Sequence, residues 1–341
     1  MTQSMGEVRR ILCAVDLTQR SDAALMRAVL LARDRGARLT VLHVVDSRQA
    51  ERVVRMQANR AYVELLSQIE RLFGSVASSI DVAVRRGKRR EVIASSAQEW
   101  DVDLIVLASP TARRVDSIIG TTAERLIRQT KRSVLVVRSE ASDVYRRVAI
   151  ATELSAAAVP MMRTAVRLGA LQDASAAIIH AAHPSYDSML RVAGIDEATI
   201  HGYQRSSEAE AREQLQGMIN EATLPFSNTR VIVRSDPPSH AIRAVLEYER
   251  PELLAIGASR WFMFKRLLIG SVADELLRAV SCDVLVIPHH PKVLRVGAAV
   301  TTDDLSVPYT RRDAASLPGF VAVQSRLHEH DGRDGRRRAQ E

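Results

Sequence analysis

Residues 11–18 read ILCAVDLT, and residues 148–155 read VAIATELS. The two stretches lie 137 residues apart, and the same offset brings His43, near the end of the next apolar run, onto His180. A period this long is far above the 20–50 residues of solenoid and propeller repeats. The sequence therefore predicts a duplicated domain.

The repeat continues to the end of each copy, where the offset grows to 149 and then 150 residues. The matched stretches are LIVLA (104–108) with LLAIG (253–257), GTTAERL (120–126) with GSVADEL (270–276), and SVLVV (133–137) with DVLVI (283–287). Because the order of the matches is the same in both copies, both copies are expected to share one fold.

Each copy alternates short apolar runs with helical patterns. The first copy predicts strands near 10–16, 38–45, 79–86, 103–108 and 133–138, and helices over 21–36, 49–73, 89–99 and from Thr121, with Thr121 and Thr122 as caps. The strands are rich in Val, Ile and Leu without alternation, which is typical of strands buried on both faces. The pattern predicts an α/β fold, a parallel sheet with helices on both faces. The second copy inserts residues 184–203 after its second strand.

Three sequence motifs indicate which protein family the pattern resembles. A strand ends in Ala-Val-Asp16, another ends in His43-Val-Val-Asp46, and Gly270-Ser271 precedes a helix that leads to DVLVIP. Together they resemble the universal stress protein family, in its tandem form. The resemblance implies two domains, 8–138 and 145–288, each an open five-stranded parallel sheet of order 3-2-1-4-5. The tail 289–341 is expected to be largely disordered, because it is rich in Pro, Gly, Asp and Arg.

The resemblance also implies a candidate site. Members that bind ATP carry Gly-x-x-Gly, nine residues, then Gly-Ser or Gly-Thr, at the carboxyl ends of strands 1 and 4, where the strand order reverses. The matching positions are Ala14, Asp16, Val44, Ala108, Gly120 and Thr121 in the first copy, and Ala151, Glu153, Ala181, Gly257, Arg260, Gly270 and Ser271 in the second. The implied ligand is ATP, ADP or AMP, with Mg²⁺ accompanying ATP.

Both copies depart from that motif. The second keeps Gly257 and the spacing to Gly270, but Arg260 replaces the second glycine and could either bind phosphate or close the site. The first has Ala108 in place of the first glycine, and its loop is one residue short. Domain 2 is therefore the better candidate. Asp16 itself could contact a ligand or merely cap its own loop or helix.

Composition excludes several other functions. The net charge is +8, yet the basic residues are dispersed without an aromatic module, so nucleic-acid binding is not expected. Cys13 and Cys282 form no CxxC motif, and no metal site is predicted. There is no apolar run of about 20 residues and no signal-peptide pattern at the N-terminus. The expected location is the cytoplasm.

Two functions remain open. The first is a stress-response regulator that binds an adenine nucleotide, without catalytic residues and with at most slow, incidental ATP hydrolysis, because Walker and GxSxG motifs are absent. The alternative is a nucleotide-free scaffold for protein partners not yet known. The apolar last strands, 133–137 and 283–287, are expected to pair antiparallel within the chain, because unpaired apolar edges aggregate. That pairing makes a pseudo-dimer and leaves a further homodimer open.

Overall fold

The computed structural model describes residues 8–109, 121–141, 143–169, 173–182, 192–226, 228–258 and 271–288. The strands are β1 Arg10–Val15, β2 Arg38–Val45, β3 Asp81–Arg86, β4 Leu104–Ala108, β5 Ser133–Val137, β6 Arg147–Ala151, β7 Ser175–Ala181, β8 Asn228–Arg234, β9 Leu253–Ala258 and β10 Asp283–Pro288. The helices are α1 Arg20–Arg35, α2 Glu51–Phe73, α3 Arg89–Glu99, α4 Thr121–Gln129, α5 Ala158–Gly169, α6 Glu197–Ala222, α7 Pro238–Glu249 and α8 Ser271–Ala279. A 3₁₀ helix covers Gly74–Ser79.

The strands form one ten-stranded sheet of order β3-β2-β1-β4-β5-β10-β9-β6-β7-β8. Read from either edge, each half has the order 3-2-1-4-5, and all pairs within a half are parallel. The α/β fold with two tandem units is therefore confirmed. We call β1–β5 with their helices the first domain, and β6–β10 with theirs the second domain.

The two halves join through their last strands. β5 and β10 pair antiparallel, as predicted, and Leu135 lies opposite Leu285 at the centre of the paired segment. These two leucines occupy equivalent positions in the repeat, so a pseudo-twofold axis passes between them. The apolar edges are thereby covered within the chain, which removes the aggregation risk of an open edge.

Each face of the sheet carries one core that runs through both domains. On one face α1, α2, α5 and α6 pack together, and they bury Leu25, Tyr62, Met162 and Leu215 respectively. On the other face α3, α4, α7 and α8 bury Ile93, Leu126, Ile242 and Leu276. Side chains alternate between the two faces along each strand, which explains why strands without polar alternation fit this architecture.

The element boundaries follow the prediction with three corrections. Residues 74–79 form a 3₁₀ turn, so β3 begins at Asp81 rather than at 79. Helix α6 already begins at Glu197, because the Asp196 side chain accepts a hydrogen bond from the Thr199 N–H and caps it. Residues 197–203 of the predicted insertion are thus helical. Thr121 is the first helical residue and not a cap. The tail 289–341 lies outside the described residues.

Candidate functional site

The candidate site of each domain lies at the carboxyl edge of the sheet. β1 lies between β2 and β4, and β6 lies between β7 and β9, so the connections on either side diverge there. Such a reversal of strand order leaves a crevice. Because β5 and β10 are antiparallel, the carboxyl ends of the two domains face opposite edges of the sheet. The two crevices therefore open in opposite directions.

In the first domain, the loop after β1 holds the Asp16 carboxylate in place. Oδ1 of Asp16 accepts hydrogen bonds from the Thr18 N–H (3.1 Å), the Thr18 hydroxyl (2.6 Å) and the Ser21 hydroxyl (2.7 Å). Ser21 Oγ in turn accepts a hydrogen bond from the Asp16 N–H at 3.0 Å. No described residue donates to Oδ2. The acid thus ties its own loop through one of its two oxygens.

Electrostatics keep this acid ionised. Burial acts to raise the pKa of Asp16, but the hydrogen bonds from Thr18 and Ser21 outweigh it and hold that pKa below its ordinary value. Arg89, an exposed residue at the start of α3, contributes in the same direction. The crevice therefore presents a carboxylate with a guanidinium within electrostatic reach.

A histidine accompanies the end of the first strand in both domains. His43 Nδ1 lies 3.1 Å from the Val15 carbonyl oxygen, and His180 Nδ1 lies 2.9 Å from that of Thr152. A carbonyl can only accept, so Nδ1 carries the proton in each ring. Burial lowers the pKa of His43, and its ring is therefore neutral near pH 7. Both histidines satisfy strand-end carbonyls, which agrees with a structural role.

The remaining described positions of the first domain lie at or near the carboxyl ends of their strands or at the start of α4. Val44 is buried, and Ala14 and Ala108 are half-buried at the ends of their strands. The Ser109 N–H, which follows Ala108, donates to the Val137 carbonyl at 2.8 Å. That amide is consequently not free to meet a phosphate. Gly120 lies outside the described residues, and Thr121 begins α4 directly after it.

The acid of the second domain is held less firmly. Glu153 is exposed, and no described residue donates a hydrogen bond to its carboxylate. Ala158 stands in the second domain where Ser21 stands in the first, so the hydroxyl that fixes Asp16 has no counterpart. Ala151 is buried and Ala181 is half-buried, whereas at the equivalent positions of the first domain Ala14 is half-buried and Val44 is buried.

Gly257 provides the clearest local opening. It lies near the end of β9, and a Cβ placed on it would meet nothing closer than Met161 Cγ at 3.9 Å. Among the described residues, neither packing nor a positive φ requires a glycine at this position, so a small side chain would fit there. Ser271 is exposed at the first turn of α8. Arg260 and Gly270 lie outside the described residues, and their roles stay predictions.

Sequence reasoning missed the residues that support the acid. Thr18 and Ser21 follow Asp16 at spacings of two and five residues, and a short polar side chain two residues after an aspartate is a signal for an Asx turn. Arg89 gave no such signal, because it reaches Asp16 only through the fold. Within the described ranges, no group of three or more His, Cys, Asp or Glu side chains could hold a metal ion. None of the described helices is long and apolar enough to cross a membrane.

Comparison with known proteins agrees with this architecture. The chain is 27% identical over 146 residues to universal stress protein A homolog 2 of Coxiella burnetii, covering 40% of this chain and all of that protein. It is 28% identical over 141 residues to a putative universal stress protein of Staphylococcus aureus USA300, covering 39% of this chain and 85% of that protein.

Solved structures resemble the whole tandem. A universal stress protein from Archaeoglobus fulgidus superposes with a TM-score of 0.58 and 16% identity, over 84% of this chain and 100% of that one. A functionally unknown protein from Pseudomonas aeruginosa PAO1 gives 0.61 and 18%, over 83% and 94%. The profile of the Universal stress protein family matches residues 7–138 and again 144–288. The chain therefore belongs to the universal stress protein family and carries two of its domains in tandem.

Proposed function

We propose that this chain is a stress-response regulator that binds an adenine nucleotide, ATP in the first instance, in its second domain. The observation that carries the proposal is the open space at Gly257. No described residue lies close enough to require a glycine there, whereas a ligand that approaches the backbone would. Gly257 also lies at the end of β9, next to β6 and Glu153, which is the edge where open α/β sheets bind ligands.

Glu153 and Ser271 would complete this site. A carboxylate accepts hydrogen bonds from ribose hydroxyls, and Glu153 has no described partner that would compete for it. Ser271 is exposed at the N-terminus of α8, where backbone N–H groups and the helix dipole favour phosphate. Mg²⁺ would enter with ATP, bound to its phosphates. The proposed setting is the cytoplasm, and the proposed role is binding without catalysis, with hydrolysis at most slow and incidental.

The first domain favours the alternative function, a nucleotide-free surface for protein partners. Ala108 carries a side chain where Gly257 has none, and the Ser109 N–H is already used by Val137. The expected stoichiometry is therefore one nucleotide per chain, in the second domain.

Equilibrium dialysis of the full chain against labelled ATP, ADP and AMP tests the proposal. We expect one nucleotide to bind per chain. We expect Gly257→Ala to weaken binding at least tenfold while leaving the urea midpoint unchanged, because no described atom lies closer than 3.9 Å to the added methyl group. Gly217→Ala is the matched control, since a Cβ at this exposed glycine of α6 also meets nothing, and it should bind as the wild type does. No binding of any of the three nucleotides at millimolar concentration would reject the proposal in favour of the scaffold.

A further inference from the structure

A buried ionic cluster lies on one side of the junction between the domains. Asp283, the first residue of β10, is fully buried. Its Oδ1 accepts hydrogen bonds from the Arg138 N–H (2.8 Å), the Ser139 N–H (3.1 Å) and the Ser139 hydroxyl (3.0 Å). Its Oδ2 accepts one from the Tyr145 hydroxyl at 2.7 Å. A carboxylate from the second domain is thus solvated by the segment that follows β5 of the first.

Arg27 supplies the counter-charge from helix α1 of the first domain. Its Nε lies 3.5 Å from Asp283 Oδ2, its guanidinium lies 3.8 Å from the centre of the Tyr145 ring, and one NH group donates to the Asp143 carbonyl at 2.7 Å. The Arg27 side chain is 5% exposed. Both charges are therefore withdrawn from water and compensated mainly by each other and by the segment between the domains.

The pseudo-twofold axis does not repeat this cluster. The position equivalent to Asp283 in the first domain is Ser133, and the position equivalent to Arg27 in the second is Thr164. Both are buried and uncharged. The apolar strand residues around them repeat well, SVLVV against DVLVI, so the strands themselves do not distinguish one domain from the other. The charges do.

We propose that this cluster determines which last strands can pair, so that β10 of a second domain pairs only with β5 of a first domain. We call this selection the pairing code. Pairing β10 with β10 in the same register would place Pro288 where Arg138 now stands, and proline has no N–H to donate. It would also place Thr164 where Arg27 stands, and Asp283 would lose its counter-charge. Pairing β5 with β5 would set Arg27 against Ser133. Each like pairing buries a charge without its partner, which is strongly unfavourable.

The pairing code also limits which other protein chains can pair with β10. A second copy of this chain would expose the same apolar last strands if they were unpaired. The code rejects β10 pairing with any partner that lacks the equivalent of Arg27 and the N–H donors after β5. The junction is thus closed to chains that lack these groups, and interactions with such partners must use other surfaces.

Disulfide trapping in the full chain tests the code. In β10–β10 pairing, Leu285 would lie opposite Leu285 of a second copy, so Leu285→Cys would form an interchain disulfide under mild oxidation. In the native pairing residue 285 lies opposite Leu135, and no such bond forms. We expect Leu285→Cys alone to stay a single chain on a non-reducing gel. Adding Arg27→Thr and Asp283→Ser, which removes both charges together, should produce the disulfide-linked dimer.

Two further variants make the result decisive. Asp81→Ser in the Leu285→Cys background is the matched control, because Asp81 also begins a strand and pairs with an arginine, Arg38, but at the outer edge of the sheet. It should give no dimer. Leu135→Cys with Leu285→Cys should close an intrachain disulfide and verify the register. A dimer from Leu285→Cys alone would overturn the proposal, and so would a triple variant that keeps the wild-type circular dichroism spectrum yet forms no dimer.

Discussion

Asp16 and Glu153 show how one residue position can diverge between two copies of a fold. Asp16 is short, and Thr18 and Ser21 bind its Oδ1 at 2.6 and 2.7 Å through their hydroxyls. Glu153 is one methylene longer and exposed, and Ala158 stands at the position that Ser21 occupies in the first domain. The first domain thus combines a preorganised acid with Ala108, whereas the second combines Gly257 with an acid that no described residue binds.

Ser21→Ala should show how much the hydrogen bonds between Ser21 and Asp16 contribute to stability. Ser21 is buried and donates to the ionised carboxylate while accepting from the Asp16 N–H, so its loss should lower the free energy of unfolding by about 1–2 kcal/mol. The pKa of Asp16 is depressed in the fold, so its stabilising effect is present above the ordinary carboxyl pKa and disappears as the pH falls through the lowered value. The difference between wild type and variant should therefore shrink below about pH 4.

Urea unfolding at several pH values measures this difference. Ser95→Ala is the control, because Ser95 only returns a hydrogen bond to the Val92 carbonyl in its own helix, and its effect should be within about 0.5 kcal/mol. An equal loss for both serines, or a Ser21 effect that does not change with pH, would contradict the role given to Asp16.

At the scale of elements, Arg85 joins strand β3 to the end of helix α3. Its guanidinium makes two hydrogen bonds of 2.7 Å to the Glu99 carboxylate, one of 2.9 Å to Ser96 Oγ, and stacks 4.4 Å from the centre of the Trp100 ring. The opposite end of α3 carries Arg89 towards the first crevice. Fixing one end of the helix therefore also fixes the charge at the other.

Arg85→Lys should lose most of the contacts that Arg85 makes with the end of α3, because an ammonium cannot bind a carboxylate through two parallel donors or stack as a plane. We expect a loss of about 2 kcal/mol in the free energy of unfolding. Hydrogen bonds from Arg85 lower the pKa of Glu99, so the loss should be largest above the ordinary glutamate pKa and fade as the pH falls through the lowered one. Arg86→Lys, at the neighbouring pair with the exposed Glu51, should change stability by no more than about 0.5 kcal/mol. Equal effects of the two substitutions would contradict the role of Arg85 in fixing the end of α3 to β3.

Helices and strands could be predicted from the sequence where neighbouring residues determine them. The apolar strands and the stop at Gly36, which has φ 61°, follow from composition and backbone freedom alone. The start of α6 needed the Asp196 cap to be recognised inside a stretch that looked like an insertion. The supports of the site were harder to predict, because Arg89 lies far from Asp16 in sequence. The cluster at Asp283 could not be predicted from the sequence either, because its members are distant in the chain. They come from α1, from the segment after β5 and from β10.

At the scale of the whole molecule, the continuous sheet and its two shared cores couple the domains. The pairing of β5 with β10 extends the hydrogen-bonded ladder across the junction, and the Asp283 cluster reinforces one side of it. Because the crevices open at opposite edges, ligand binding in the second domain leaves the first crevice free for another contact. The fold thus combines one proposed ligand site with an independent surface.

Tyr145 gives the junction an alkaline limit. Burial and the neighbouring Asp283 carboxylate raise the pKa of Tyr145 well above its ordinary value, because a second negative charge cannot be accommodated beside Asp283. A group whose pKa is raised in the fold stabilises the protein fully below its unfolded pKa, about 10 for tyrosine. That stabilisation is lost as the pH rises through the folded value, since the unfolded chain releases the proton first.

Tyr145→Phe should therefore cost less stability at high pH than at pH 7. At pH 7 it removes one hydrogen bond to a buried carboxylate and should cost about 1–3 kcal/mol. Between pH 10 and 11 the wild type loses stability by ionisation of the unfolded tyrosine, a loss that phenylalanine cannot share, so the gap between the two proteins should narrow. Urea midpoints at pH 7 and 10.5 measure it, with Tyr248→Phe as the control, because that tyrosine is 80% exposed. A gap that stays constant across this range would show that the fold does not raise the pKa of Tyr145.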